Sequence, residues 1–327
     1  MEIPNELKNA IDKQVARLKY SQLLVDVQQL SVNYHANRGQ GRRLLSSESE
    51  AVAYAVTRMP ATYGAVFSAL GYAWQFSEMS IESLLDVGAG TGAASWAVAT
   101  QLDLKTIKCV EREDAMIRIG KEMMAHGNRP LADATWEKKD IAHSVIGDKA
   151  DLVISSYALN ELHDSQRIPT LDMLWNCANR VFLLVEPGTP VGYQQIITAR
   201  DYLLKKGAHV LAPCPHENKC PLTGNEWCHF TCRIARSKLH RLLKSGEAPF
   251  EDEKYAYMAF SRDECKHAAS RVFRHPQIGK GTINLEICAE GGIEKYTCTK
   301  KEGEIFRIAR KIKCGDSLPG VTPMKHS

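Results

Sequence analysis

The stretch Ser83-Leu84-Leu85-Asp86-Val87-Gly88-Ala89-Gly90-Thr91-Gly92 constrains this chain more than any other. An apolar run ending in alternating glycines, followed directly by helical AASWAVAT, reads as strand, tight loop and helix. Such a loop lets a ligand approach the backbone closely, with a helix N-terminus behind it. Two acidic strand ends follow. Glu111 closes TIKCVE, roughly twenty residues on, where a carboxylate can bind both ribose hydroxyls of a nucleoside. Asp140 closes ATWEKKD and suits an adenine amino group, and Ser156, ending the next strand, joins the same rim. The loop lacks Gly-Lys-Ser/Thr, which excludes a P-loop. Its third glycine comes one residue earlier than in the G-x-G-x-x-G dinucleotide fingerprint. The expected cofactor set is therefore Asp86, Gly88, Ala89, Gly90, Thr91, Gly92, Glu111, Asp140 and Ser156.

The surrounding pattern supports an α/β fold. Residues 1–79 show apolar positions at three- and four-residue spacing, in VARLKYSQLLVDVQQL and again in SEAVAYAVTRMPATYGAVFSAL, with Pro60 restarting the second helical stretch. Residues 80–207 alternate the strands SLLDVG, TIKCVE, ATWEKKD, ADLVISSY and RVFLLVEP with helices near 92–101, 114–126, 165–178 and 190–206, which predicts a parallel sheet covered on both faces. Residues 208–233 form a cysteine-rich insertion. Residues 234–270 complete the core with a helix near 234–245 and the strand YAYMAF. Residues 271–327 give a small β segment, with NLEICA and EKYTCT as a hairpin about EGGI, then a basic tail whose last residues are loose.

At the carboxyl end of the fourth strand stands Ser155-Ser156-Tyr157-Ala158-Leu159-Asn160-Glu161-Leu162-His163. Asn160, Glu161 and His163 can orient a substrate or move a proton; Asn160 and Glu161 can equally begin the next helix. Glu186, in VEPGTPVG, ends the fifth strand at the same rim. No [D/N]PP[Y/F] motif follows the fourth strand, and neither strand end carries a cysteine nucleophile. Asn160, Glu161 and Glu186 are the catalytic candidates.

The insertion places Cys214, Cys220, Cys228 and Cys232 at spacing C-x5-C-x7-C-x3-C, beside His216 and His229. No C-x2-C knuckle is present, so an ordinary structural zinc site is disfavoured, although soft thiolates on such a loop suit zinc or iron–sulfur. Either Cys232 or the distant Cys288 can complete a set of four. The N-terminus is too charged for a secretory leader and the longest apolar run, Val181–Val185, is far short of a membrane span, so a cytoplasmic protein without disulfides is expected. Cys109 and Cys177 read as small buried hydrophobes. The net charge of +4 is only mildly basic. Three local clusters can reach phosphate or equally be solvated faces: Arg38, Arg42 and Arg43; Lys238, His240, Arg241 and Lys244; and Lys300, Lys301, Arg307, Arg310, Lys311 and Lys313.

The DxGxGxG loop with its two acidic strand ends resembles the class I S-adenosylmethionine-dependent methyltransferases, which implies their Rossmann-like sheet. DVGAGTGAASWA, SYALNEL, VEPGTPVG, CPH–CP–WCHF, a later strand cysteine and RMPATYGAV together are similar to the methyltransferase-like proteins associated with the small ribosomal subunit. That resemblance spans roughly residues 38–300. It implies a [4Fe–4S] cluster on Cys214, Cys220, Cys228 and Cys288, with Cys232 an extra thiol and both histidines packing nearby. It further implies action on the small subunit or its rRNA, and a monomer off the ribosome is expected. That role is either methyl transfer or non-catalytic assembly and RNA binding, the latter open to control by iron or redox state.

Overall fold

A computed structural model of the chain describes residues 1–36, 47–244 and 246–318. The basic stretch with Arg38, Arg42 and Arg43 and the final residues 319–327 lie outside the described residues. Among the described residues no helix is long and apolar enough to cross a membrane.

Among the described residues four helices open the chain: α1 (Asn5–Val15), α2 (Tyr20–Ala36), α3 (Glu48–Thr57) and α4 (Met59–Trp74). The periodic stretch expected to run from Val15 to Leu30 is broken at 16–19, where α1 ends in a turn. A capping box between Ser47 and Glu50 starts α3. Pro60 sits in the first turn of α4, where a missing N–H costs no helical bond, so the chain restarts there as expected.

The central domain continues as β1 (Ser83–Val87), α5 (Ala93–Gln101), β2 (Thr106–Glu111), α6 (Asp114–Met124), α7 (Arg129–Ala132), β3 (Thr135–Lys138), β4 (Ala150–Ser156), α8 (Asp164–Cys177), β5 (Ala178–Pro187), α9 (Pro190–Lys205), β6 (His209–Ala212), β7 (Phe230–Ala235), α10 (Lys238–Leu243) and β8 (Phe250–Ser261). Its sheet has the order β3-β2-β1-β4-β5-β8-β6, with β7 also paired to β8. Strands β1 to β5 are parallel, and β8 runs antiparallel to β5, β6 and β7. This is a Rossmann-like α/β fold with a mixed sheet. Val181 to Val185 are wholly buried, as a strand covered on both faces requires. Strand order reverses between β1 and β4, and ligands in such sheets bind outside the carboxyl ends at that switch point.

Strands β6 and β7 were not anticipated from sequence, and they bracket the cysteine loop, so residues 213–229 project from two strands of the main sheet. A second sheet follows: β9 (Ser270–Val272), β10 (Gln277–Ile278), β11 (Thr282–Ala289) and β12 (Gly292–Thr299), then α11 (Glu304–Ala309). The expected hairpin is β11–β12, turning at Gly292 with φ +121. Alternation along β11 sends Ile283, Leu285 and Ile287 into a small core, so Cys288 faces the other way. The basic stretch is folded rather than a tail up to Leu318. Ala309, Ile312 and Leu318 bury against Val272 and Ile283.

Candidate functional site

The glycine loop turns out of β1 with φ +73, +57 and +88 at Gly88, Gly90 and Gly92. Gly88 N and Ala89 N donate to Val110 O at 2.9 and 3.1 Å, which lays the loop across the end of β2. A Cβ on Gly88 would stand 2.6 Å from the Cβ of Ala158, just past β4. Loop and β4 end therefore meet closely, and the cleft opens between them.

Gly88, Gly90, Glu111, Asp140 and Ser156 line this one cleft. Glu111 Oε2 accepts from Gly90 N at 2.8 Å, while Oε1 accepts from Arg112 N and Glu113 N at 2.8 and 3.0 Å. Three of the carboxylate's roughly four acceptor sites are thus held by backbone, leaving one for a ligand hydroxyl. Asp140 Oδ1 accepts from Ala142 N at 3.0 Å, which fixes the turn after β3.

The other expected cofactor residues stand behind the cleft wall. Asp86 is wholly buried, and its Oδ2 accepts from Ser95 N and Oγ at 3.1 and 2.8 Å. Burial raises its pKa to about 6, against the two Ser95 hydrogen bonds. Its role is to pin the start of α5 to β1. Thr91 is buried with its hydroxyl 3.3 Å from Met59 Sδ. Ala89 is buried, and a Cβ on Gly92 would meet Met124 Sδ at 2.8 Å, so both shape the loop from below.

The catalytic candidates divide. Glu161 lines the cleft and pairs with Arg112 Nη2 at 3.3 Å. Burial raises it to about 7; Arg112 opposes this and the charges of Glu111 and Glu113 add to it. Asn160 also lines the cleft, and its Nδ2 donates to Tyr157 O at 2.7 Å and Glu186 Oε2 at 2.9 Å. Glu186 lies behind Asn160, fully buried, with Oε1 unpartnered. Burial pushes it up to about 8, opposed by the bonds from Asn160. Leu159–Glu161 form a short 3-10 turn, and His163 is exposed as the N-cap of α8.

Sequence reasoning missed the wall supplied by the N-terminal helices. Tyr54, Arg58 and Thr62 reach the cleft from α3 and α4. Arg58 pairs with Glu253 at 3.5 Å, and Glu253 accepts from Tyr157 OH at 3.0 Å. Tyr157 holds a left-handed φ of +58, a strained backbone for a bulky residue. Nothing local in ESEAVAYAVTRMPAT marks Tyr54, Arg58 and Thr62 as a cleft wall.

A second cavity, about 50 Å³, lies beside β8 and α9. Cys214, Cys220, Cys228 and Cys288 all line it, among Ile196, Ile197, Tyr257 and Val272. Cys232 does not: it is buried on β7, 3.2 Å from where a Cβ on Gly64 would stand. Tyr193 OH lies 3.3 Å from Cys220 Sγ, and His216 Nε2 lies 3.9 Å from Cys288 Sγ. His229 stacks on Trp227. Burial and neighbouring thiols push Cys288 up to about 12 and Cys228 well above its ordinary value. Among the described residues no group of three His, Cys, Asp or Glu side chains stands as a formed metal site. The donor chemistry nevertheless fits a thiophilic metal, because four soft donors share one enclosure and its charge can replace their protons.

Of the basic clusters, the α10 group loses a member: His240 is buried, and burial lowers it to about 4 despite Glu251, so it carries no charge at neutral pH.

Solved structures align at low identity. A putative RNA methyltransferase from Pyrococcus horikoshii matches 60% of this chain and 79% of its own, at 16% identity and TM-score 0.40. Magnesium protoporphyrin IX methyltransferase from Synechocystis PCC 6803 matches 71% and 90%, at 13% identity and TM-score 0.42. Among curated proteins, the human mitochondrial ribosome assembly protein METTL17 is 26% identical over 262 residues, covering 74% of this chain and 56% of its own. The Saccharomyces cerevisiae mitochondrial ribosome assembly protein RSM22 is 23% identical over 278 residues, covering 51% and 44%. The chain spans about half the length of these curated relatives. A family model described as mitochondrial small ribosomal subunit Rsm22 matches residues 48–319, and the chain belongs to that Rsm22 family.

Proposed function

We propose that this protein binds S-adenosylmethionine at the β1/β4 switch point and acts on the small ribosomal subunit or its rRNA, as a monomer off the ribosome. The observation that carries the cofactor reading is the convergence of Gly88, Gly90, Glu111, Asp140 and Ser156 on one cleft. When bound there, the sulfonium supplies an electrophilic methyl group. Glu111 offers its remaining acceptor site to a ribose hydroxyl, and Asp140 stands where an adenine amino group can donate. Glu161, poised near neutrality, can take a proton from an acceptor nucleophile.

The relatives' ribosome-assembly names support the partner. The four-thiol cavity supports an iron–sulfur cluster on Cys214, Cys220, Cys228 and Cys288 that ties the second sheet to the first. All ten cysteines are unbridged, which fits a reducing compartment such as the cytoplasm. One observation favours a non-catalytic assembly factor: both amide hydrogens of Asn160 are already engaged, and Glu186 is sealed behind it.

Tritiated methyl transfer to immature small subunits separates the two. Incorporation that disappears in Gly88→Arg establishes an enzyme; particle binding without incorporation establishes the assembly role. Absence of both sinks the proposal.

A further inference from the structure

Beside the four thiols lie two arginines that folding alone would not bury without compensation. Arg200, on α9, is 1% exposed, and Arg271, on β9, is 4% exposed and lines the thiol cavity. Arg200 Nη2 donates to His216 O at 3.1 Å and Asn218 O at 2.7 Å, both on the cysteine loop, and its guanidinium lies beside the Cys214 thiol. Its carboxylate contact is Asp201 at 3.4 Å, whose side chain is half exposed to water. Arg200 Nε is buried with no acceptor. Arg271 donates to Pro213 O at 3.1 Å, Gly315 O at 3.1 Å, Tyr72 O at 3.4 Å and Gln75 Oε1 at 2.9 Å. Among the described residues it forms no ion pair with a carboxylate.

Carbonyl dipoles satisfy guanidinium N–H groups but do not neutralise the charge, and burying an uncompensated charge carries a heavy desolvation penalty. Four thiolates around either zinc or an oxidised [4Fe–4S] core leave two units of negative charge. The apolar wall of Ile196, Ile197, Tyr257 and Val272 offers that charge no solvation. The two misfits cancel. We infer that Arg200 and Arg271 are the buried counter-cations of a four-thiolate metal centre, so that the centre and its fold are stable only together. This rests on the reading that Cys214, Cys220, Cys228 and Cys288 hold a metal. The rival is that both arginines merely staple the loop through its carbonyls.

The test uses the full chain, reconstituted anaerobically with ferrous iron and sulfide, as wild type, Arg200→Gln and Arg200→Lys. Iron content, iron loss to a chelator, and the midpoint of reduction by dithionite with mediators are measured. Removing the charge should speed iron loss at least tenfold. It should also lower the ratio of reduced to oxidised cluster about tenfold at fixed potential, which is about 59 mV for one electron. Lysine keeps the charge without the planar fork and should stay within threefold of wild type on both readouts. Equal losses in Gln and Lys, or an unchanged Gln variant, would overturn the inference in favour of a staple. Should Arg200→Gln fail to fold, the lysine variant decides: a tenfold loss there overturns it. Wild type that takes up neither iron nor zinc overturns the metal reading, and this inference with it.

Discussion

At the residue scale, two carboxyls and two thiols carry the sharpest consequences. Glu186 and Glu161 are raised to about 8 and about 7, so the native state holds protons that the unfolded chain releases above the ordinary carboxylate range. Their stabilising contribution is therefore full below that range and is lost as pH rises through about 7 to 8. Glu186→Gln should melt like wild type at pH 5 and be more stable than wild type at pH 8.5, by on the order of 2 kcal/mol. Identical stability differences at both pH values would show that Glu186 is ionised throughout. For the thiols, Cys288→Ser should abolish iron retention while Cys232→Ser leaves it intact, measured as iron per chain after gel filtration. Spacing alone left the two equivalent, because it cannot report that alternation on β11 turns Cys288 towards the loop while β7 buries Cys232 against α4.

At the element scale, the packing of α4 on β7 depends on a helix surface of small residues. Gly64 faces Ile234, and a Cβ there would stand 2.0 Å from Ile234 Cδ1. Gly64→Val should lower stability by about 2 kcal/mol in urea unfolding, through overpacking. An unchanged midpoint would mean that helix and strand can separate at little expense. This contact also explains what was hidden in sequence. The strands β1 to β5 announce themselves through apolar runs, whereas HVLA is only four residues and FTCRIA reads as a lead-in to α10. Both become strands because the twelve-residue β8, held by β5 on one edge, leaves its other edge long enough for β6 to pair near 259–261 and β7 to pair at 250–255. The cleft wall from α3 and α4 was likewise hidden, since Tyr54 and Arg58 are brought to Glu111 only by tertiary packing.

At the scale of the whole molecule, one sheet presents two separate sites. The glycine-loop cleft opens at the switch point, and the thiol cavity lies between β8, α9 and the second sheet. The glycine loop was legible because strand, loop and acidic strand ends are local signals, and of the residues expected to hold a cofactor Gly88, Gly90, Glu111, Asp140 and Ser156 line the cleft. Asp86, Ala89, Thr91 and Gly92 build the loop instead. Equilibrium dialysis of radiolabelled S-adenosylmethionine against the folded chain tests this arrangement most directly. Wild type should bind one ligand per chain saturably, and Gly88→Arg, placed where a Cβ already meets Ala158, should weaken binding at least tenfold while retaining a cooperative melt. No saturable binding by folded wild type, or equal binding by a folded Gly88→Arg variant, would contradict a cofactor site in this cleft.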